Sequence, residues 1–471
     1  MSRRRRPSER QPTPPDPSTY PIAAFVDSLA MRPLIRHDVP HLYDKSHYIE
    51  CTMRDITHQI QGLLLSRFGD VPAKLIHEWD TQVKTYVSQM MQLYGPIRYD
   101  TFSKKSEPDI IINVSDGVVR QPQSGAPPTK ERHDPKWNFK YVLPVRFIEG
   151  YKPGSGCRVT HEQIEAKFSD VKDQTFIRAW RSYLFVPDTR FQKMLFVKGV
   201  SRSGKSTIFL DAFGPMFTSF LDNGNLNSPL GKLRLDQFQT SRFNDTSHLW
   251  TLEFAPYNFA SETKEAWDHA MEMLKLFVSG EPVVVRGSWR HPVSFSPTTK
   301  LGFAMNLLPK MTGTMAEANR IALLLAENCH QGEVDLTIRD KVRREASENF
   351  MEALLGLPEV LQMKELPERG VNSTAEYGRL VRTFDVVQWC WDEMFEYYPG
   401  ELGLAHVNSA ILRFLEDNVI SGWKVEYLKR QIKDRFRIEV RQHNYTSVGD
   451  RHTYWLGIRI KERNGSNFTM T

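Results

Sequence analysis

A turn rich in small residues interrupts an apolar pattern near the middle of this chain. The segment reads "MLFVKGVSRSGKSTIFLDAF", and residues 199–206 within it fit the pattern G-x-x-x-x-G-K-[ST]. The apolar run before the turn predicts a buried strand, and the run after it predicts a helix. From about 185 to 325, short β-type runs alternate with helical segments, which is typical of a parallel α/β sheet. The turn therefore predicts a strand–loop–helix unit within such a sheet.

This turn predicts a cradle for a nucleoside triphosphate. Gly199 and Gly204 let the backbone curl so that its N–H groups point at phosphate oxygens, and the helix beginning near Lys205 adds its dipole. Lys205 would reach the β- and γ-phosphates, and the Ser206 hydroxyl would ligate Mg²⁺. A surface loop with a chance lysine is the alternative, which the flanking strand and helix disfavour. We expect ATP and Mg²⁺ as cofactors, bound by Gly199, Val200, Ser201, Arg202, Ser203, Gly204, Lys205, Ser206 and Thr207.

Three more polar residues mark predicted strand ends. In "SHLWTLEF" we expect an apolar strand at Leu249–Leu252, and Glu253 at its tip would hold Mg²⁺ and activate the attacking water. Asn306 closes "KLGFAMNLLP", where it would hold the γ-phosphate or merely cap the turn. Arg320 precedes "IALLL" and would reach the nucleotide of a neighbouring subunit. A surface ion pair, which is common for arginine, is the alternative. An exposed acid that merely ends a strand is the alternative for Glu253. Only the order of the motifs along the chain favours the functional role.

A predicted hairpin, "PVVVRGSWRHPVSF", carries cations and an aromatic residue at its tip. The residues concerned are Arg286, Trp289, Arg290 and His291. Such a mixture suits a nucleic-acid backbone and a stacked base. A structural hairpin whose Trp289 packs on a neighbour is the alternative, and the hairpin taken alone favours it.

Positive charge is concentrated at the two ends of the chain, whose formal net charge is +6. The first ten residues contain five arginines and one glutamate, in an arm that composition predicts to be disordered. Between 422 and 463 there are eleven Lys or Arg and five acids. There "VEYLKRQIKDRFRIEV" predicts a helix with a basic face, and two strands follow, which is the layout of a winged helix on DNA. The expected contacts are Lys429, Arg430, Lys433 and Arg437, unless this face is merely solvated.

The remaining sequence predicts packing elements and excludes several classes of protein. Helix is expected from about Pro33 to Tyr94 and again between Thr160 and Phe185, with a strand and turn in "DIIINVSDGVV". The four cysteines have no paired spacing, so we expect buried thiols and neither a zinc site nor disulfides. No apolar run approaches the ~20 residues that span a bilayer. We expect no membrane association and a cytoplasmic location in a host cell, with a nuclear one left open.

The succession "GVSRSGKST", "LWTLEF", "LKLFVSGEPVVVRGSWRHP", "KLGFAMNLLP" and "NRIALLL" resembles superfamily 3 helicases, of the type found at the C-terminal end of phage and poxvirus primase–helicases. In that family these blocks are the Walker A loop, the Walker B acid, the pore hairpin, sensor 1 and the arginine finger. The resemblance assigns the roles, in that order, to Lys205 with Ser206, to Glu253, to Arg286 with Trp289, Arg290 and His291, to Asn306 and to Arg320. It covers about 109–325 and extends more loosely to the end.

Three positions bear on how closely the resemblance holds. Lys275 matches a lysine often found just before the hairpin. Thr251 stands where many relatives have a second acid, and Asn319 precedes Arg320 where relatives often have a second arginine. Both departures predict a weaker ATPase.

The resemblance implies an α/β P-loop (AAA+-like) ATPase core with a helical or mixed N-terminal domain and a C-terminal winged-helix-like domain. We place the arm at 1–30, the N-terminal domain at 31–184, the ATPase at 185–350 and the DNA-binding domain at 351–471. The implied function is an ATP-dependent replicative DNA helicase of a virus, phage or mobile element. It would form a homo-oligomeric, hexameric ring that translocates on single-stranded and forked DNA.

Other functions remain open at this point. A separate primase or polymerase would be a partner, since no primase centre is visible in the chain. An origin-binding initiator that uses ATP without unwinding would share the same motifs. So would a viral packaging or translocation ATPase. A nucleotide kinase would share the loop but not the hairpin and the basic tail.

Overall fold

The computed structural model describes most of the chain in a series of segments. They comprise 34–36, 39–44, 47–69, 71–93, 109–137, 139, 141–218, 230–238, 246–253, 255–261, 270–286, 292–308, 315–327, 335–418, 420, 424–444 and 451–461. The predicted disordered arm at 1–30 lies outside these segments.

Three short antiparallel strands open the described chain, where the sequence pattern predicts helix from about Pro33. They are β1 (Leu34–Arg36), β2 (Val39–Asp44) and β3 (His47–Glu50). The helical prediction is wrong here because pairing across the turn, with Tyr43 opposite Tyr48, satisfies the backbone in an extended form.

Two helices follow these strands, as predicted. They are α1 (Met53–Phe68) and α2 (Ala73–Leu93). Thr52 begins α1 in a capping box, since its hydroxyl accepts from the Asp55 N–H and the Asp55 carboxylate accepts from the Thr52 N–H. Trp79 of α2 is buried and its ring lies 5.9 Å from that of Phe68.

A small antiparallel sheet and two helices precede the central sheet. The strands are β4 (Asp109–Val114), β5 (Gly117–Pro122) and β6 (Thr129–Glu131), and the helices are α3 (Arg158–Lys167) and α4 (Val171–Tyr183). They confirm the strand and turn predicted in "DIIINVSDGVV" and the helices predicted before Phe185. Asp170 begins α4, because its side chain accepts a hydrogen bond from the Lys172 N–H.

A five-stranded parallel sheet forms the centre of the described chain. Its segment contains β7 (Met194–Lys198), β8 (Leu230–Gly231), β9 (Tyr257–Ser261), α5 (Ala270–Ser279), β10 (Val283–Arg286), β11 (Pro292–Phe295), β12 (Lys300–Met305), α6 (Met315–Ala318) and β13 (Ile321–Leu325). The strand order is β13-β7-β12-β9-β8, and β10 and β11 form a separate antiparallel hairpin. A mixed α/β fold with a parallel sheet is compatible with a P-loop-like core.

Both faces of this sheet are buried, because alternate residues of each strand point in opposite directions. Leu195 and Val197 of β7 belong to one hydrophobic core, and Met194 and Phe196 belong to another. This is why the strands read as continuous apolar runs in the sequence.

Three helices after β13 complete the two cores. They are α7 (Ile338–Arg344), α8 (Ala346–Gln362) and α9 (Val371–Phe384). The first core also contains residues of β4, α3 and α4. It therefore includes residues on both sides of the predicted domain boundaries after 184 and after 350. The second core contains residues of α5, the hairpin and α9.

The C-terminal part has a hydrophobic core of its own. It contains α10 (Val386–Met394), β14 (Phe395–Gly403), α11 (Leu404–Asp417), α12 (Val425–Arg435), β15 (Val440–Asn444) and β16 (Arg451–Ile460). Helices followed by the hairpin β15–β16 confirm the predicted order of elements. The strand β14 was not predicted, and it pairs with β16. The winged-helix assignment itself stays a prediction.

No helix among the described residues is both long enough and apolar enough to span a membrane.

Candidate functional site

The predicted phosphate loop begins at the carboxyl end of β7, between the ends of its two neighbours in the sheet. The Gly199 N–H donates to Met305 O at 3.2 Å, and the Ala326 N–H donates to Lys198 O at 2.8 Å. A short helix of π-type, Thr207–Ala212, follows the loop; we call it the loop helix. Because the sheet is parallel, residues that end β7, β12 and β13 meet at this edge, which is where open α/β sheets bind ligands.

Both glycines of the motif are required by their surroundings. A Cβ on Gly199 would lie 2.7 Å from both Ala326 O and Ser203 Oγ, so the loop can start only with a residue that has no side chain. Gly204 has φ of +78°, which L-residues rarely adopt. A Cβ there would also lie 2.9 Å from Cγ of Lys167.

Lys205 connects the loop with the end of β12. Its ammonium donates to Val200 O at 2.8 Å and to Ser203 Oγ and Asn306 Oδ1, both at 3.1 Å. It also donates to Gly199 O at 2.5 Å. The side chain is 8% exposed. The structure thus brings together two residues that the sequence analysis selected separately, Lys205 and Asn306.

These residues fit a triphosphate and Mg²⁺ by their chemistry. Gly199 and Gly204 have no side chains, so the two ends of the loop are open to a ligand. The carbonyl and hydroxyl groups to which Lys205 donates are neutral. An anionic phosphate oxygen makes a stronger, charge-assisted partner for that ammonium than any of them. Ser206 is half-buried at the start of the loop helix, the position from which its hydroxyl would reach a metal ion.

Glu253 lies away from this edge, so its predicted position is wrong. Residues Ser247–Leu252 form a 3-10 helix rather than a strand. Leu252 O accepts from Thr299 Oγ1 at 3.0 Å, next to the first residue of β12, whereas Asn306 follows its last residue. Those two ends are about 20 Å apart at the rise of a β-strand.

The strand that occupies the predicted place is β9, which is paired with β12 on the side away from β7. The next residue in the sequence after Ser261 is Glu262, which lies outside the described residues. The strand β9 was not predicted, because "YNFAS" mixes polar and apolar residues. The sequence feature that could have indicated this strand is the acid Glu262 directly after it.

Arg320 lies just before β13, at the opposite end of the sheet from the phosphate loop. Its guanidinium donates to Lys275 O at 3.2 Å and to Ser279 Oγ, both in α5. Lys275 itself forms an ion pair with Glu317 at 2.8 Å. Within one chain these contacts are structural, and the role of Arg320 toward a neighbouring subunit stays a prediction.

The predicted hairpin is confirmed as β10 and β11. Val283 and Val285 are buried and Val284 is exposed, as expected when one face of the hairpin packs on the second core. Arg286 is the last residue of β10. Trp289, Arg290 and His291 lie outside the described residues.

The basic residues of the C-terminal part divide into exposed and bound ones. Arg430, Lys433 and Arg437 are exposed. The Arg430 guanidinium lies 5.4 Å from the ring centre of Tyr427, which is itself exposed. Lys429 is half-buried and donates to Asn408 Oδ1 at 3.0 Å and to Glu426, which suits a structural role better than a DNA contact.

A partly buried polar cluster beside α4 has residues of the kinds that bind metals. Cys157 Sγ lies 3.4 Å from His161 Nε2, and Glu352 is close to both. The buried Arg181 guanidinium supplies the positive charge that a metal ion would otherwise supply. It lies 3.8 Å from the sulfur and 3.5 Å from Glu352 Oε2. Burial raises the pKa of Cys157 to about 11, which keeps the thiol protonated. We therefore interpret the cluster as a hydrogen-bonded core.

The expectation of buried thiols is confirmed for Cys157 and Cys390, whereas Cys51 is half-buried. Cys329 lies outside the described residues.

Comparison with known proteins shows the fold. No protein-family model matches the sequence, and no curated protein matches it. Among solved structures the chain is similar to the C-terminal region of NrS-1. An A-form apo structure of that region gives a TM-score of 0.51 at 11% identity, over 94% of this chain and 100% of that one. An apo structure of its residues 305–718 gives 0.52 at 11%, over 94% and 99%. A second A-form structure gives 0.51 at 10%, over 94% and 99%.

Proposed function

We propose that this chain is an ATP-dependent DNA helicase of a viral, phage or mobile-element replication system. The observation that carries the proposal is the contact between Lys205 Nζ and Asn306 Oδ1 at the carboxyl edge of the parallel sheet. A loop lysine and a strand-end amide that meet there can both touch the γ-phosphate of one nucleotide. The likeness to the C-terminal region of NrS-1 supports the fold on which the proposal depends.

Hydrolysis would be the in-line attack of water on the γ-phosphate, in which the bond from the γ-phosphorus to the bridging oxygen breaks and ADP and phosphate leave. Lys205 would stabilise the charge that develops on the phosphate oxygens, and Asn306 would orient the phosphate or the attacking water. Mg²⁺ bound to the triphosphate neutralises its charge, and the Ser206 hydroxyl is the group of this chain that would hold it.

The acid at the site is proposed to be Glu262 rather than Glu253. The order β13-β7-β12-β9-β8 places β12 between β7 and β9, so the carboxyl end of β9 faces the loop across one strand. Glu262 continues the chain from that end. We expect Glu262→Gln to lower ATP turnover about 100-fold or more while ATP still binds, and Glu253→Gln to leave turnover within about twofold.

Two features support DNA as the polymer along which the protein moves. The hairpin β10–β11 leads into a tip containing Trp289 and two cations by sequence. The exposed Arg430, Lys433 and Arg437 lie on or beside one basic helix, which also carries the exposed Tyr427. The resemblance to superfamily 3 helicases supports a hexameric ring, with Arg320 completing a neighbour's site.

The test combines ATP turnover and strand separation on a forked duplex with the full chain. The wild type should hydrolyse ATP faster with single-stranded DNA and should separate the fork, and Lys205→Ala should lose both activities about 100-fold. Fast turnover without separation would instead favour an origin-binding initiator. Turnover unchanged in the Lys205→Ala variant would refute the proposed site.

A further inference from the structure

A second lysine lies against the phosphate loop. Lys167 is the last residue of α3, and its side chain is 8% exposed. Its Cγ, Cδ and Cε lie 2.9, 3.3 and 3.1 Å from the position that a Cβ of Gly204 would occupy. The aliphatic part of Lys167 therefore fills the space that the motif glycine leaves open.

The end of α3 is fixed in this place by several contacts. The Phe168 ring packs edge-on against that of Phe209 in the loop helix, with centres 6.3 Å apart. Ser169 Oγ donates to Glu327 Oε2 at 2.9 Å, just after β13. Gln174 Nε2 donates to Phe168 O at 2.9 Å. Lys167 is thus held at the sheet edge where the loop begins.

The Lys167 ammonium has no hydrogen-bond or ion-pair partner in the part of the chain that the structure describes. Other lysines as close to the core do have acceptors: Lys205 binds the loop, and Lys300 donates to Thr298 O at 2.9 Å. Lys167 Nζ is not one of the fully buried atoms that lack a partner, so the stem of Lys167 is buried while its ammonium remains accessible to an anionic ligand.

We propose that Lys167 is a second ammonium ligand of the bound triphosphate, at the Gly204 end of the loop. Lys205 donates at the Gly199 end, so the two ammonium groups approach the phosphates from different sides. This inference depends on the proposed nucleotide site. It also gives α3, which packs in one core with β4 and α4, a direct contact to the phosphates.

The experiment measures the affinity of the full chain for ATP, ADP and adenosine at fixed salt. Lys167→Met keeps the length and removes the charge, and should weaken ATP binding about 10-fold or more, because a charge-assisted hydrogen bond is lost. Adenosine binding should stay unchanged, since adenosine has no phosphate. Lys167→Arg should restore most of the affinity. Lys172→Met is the matched control, because Lys172 is exposed and pairs with Glu368.

The outcomes separate this inference from the proposed function. If the wild type does not bind ATP, the nucleotide site itself fails. If the wild type binds ATP and Lys167→Met binds it equally well, Lys167 is not a phosphate ligand. An equal loss of ATP and adenosine binding in folded Lys167→Met protein would also overturn the inference, because the loss would then not depend on the phosphates. Lys167→Gln repeats the charge removal should the Met variant unfold.

Discussion

Lys300 makes stability depend on pH in a calculable way. It is the first residue of β12 and is 1% exposed. Its ammonium donates to Thr298 O at 2.9 Å and to Val186 O, and lies 4.9 Å from the ring centre of Tyr183. Burial lowers the pKa of Lys300 from 10.5 to about 7, although the nearby Asp188 carboxylate raises it.

The sign of the effect follows from the two pKa values. Between about pH 7 and 10.5 the unfolded chain binds a proton at Lys300 that the folded chain does not, so the free energy of unfolding rises with pH in this window. Each pKa unit is worth about 1.4 kcal/mol, so the unfavourable contribution is about 5 kcal/mol at pH 6 and about 2 kcal/mol at pH 9.

The perturbation that isolates this contribution is Lys300→Met, which fills the same space without a titrating group. The variant also loses both hydrogen bonds of Lys300, but only the titration of Lys300 makes the difference in stability depend on pH. We expect the wild type to gain about 3 kcal/mol relative to the variant between pH 6 and pH 9. Denaturant unfolding of both proteins at the two pH values measures it, with Lys172→Met as an exposed control. A difference that does not change with pH would refute the reasoning.

Three other substitutions test the loop, an ion pair and the core. Gly204→Ala should lower the free energy of unfolding by about 1–3 kcal/mol, since a Cβ at φ of +78° is strained and meets Lys167, and it should weaken ATP binding. Gly62→Ala is the control, because Gly62 lies in open space on α1, and it should stabilise the protein slightly. Equal effects of the two substitutions on stability would contradict this reasoning. Arg343→Met should cost about 2 kcal/mol because it removes a partner 2.6 Å from the buried Asp211, whose other oxygen stays 3.4 Å from Arg339, and an Asp211→Asn background should abolish most of that cost in a double-mutant cycle. Leu323→Ala on the fully buried β13 should cost about 2–5 kcal/mol by denaturant unfolding, and a loss below about 1 kcal/mol would mean that the core is not packed as described.

The parts of the site that follow from local sequence were predictable. The turn after β7 was predictable because its glycines and lysine stand at the fixed spacing that one short loop requires. Asn306 was found because it ends an apolar run, and the parallel sheet then brought it to Lys205. Neither inference needed knowledge of distant contacts.

The errors came where a short apolar run has more than one stable form. The run at Leu249–Leu252 packs two leucines into the second core as a 3-10 helix just as well as a strand would. Tertiary contacts decide between them, here the hydrogen bond from Thr299 to Leu252 O. The helix predicted from about Pro33 was wrong for the same reason, because helical spacing does not show which residues pair across a turn.

Lys167 could not have been selected from the sequence at all. In the chain it is simply a cation in the last turn of an amphipathic helix, where a solvated lysine is ordinary. Its contact with Gly204 arises because α3 and the loop helix pack in one core, through Phe168 and Phe209. The same packing would make α3 sensitive to the charge at the loop. A loss of triphosphate would then leave Lys167 without its partner, so nucleotide state and the position of α3 would be linked by one ammonium group.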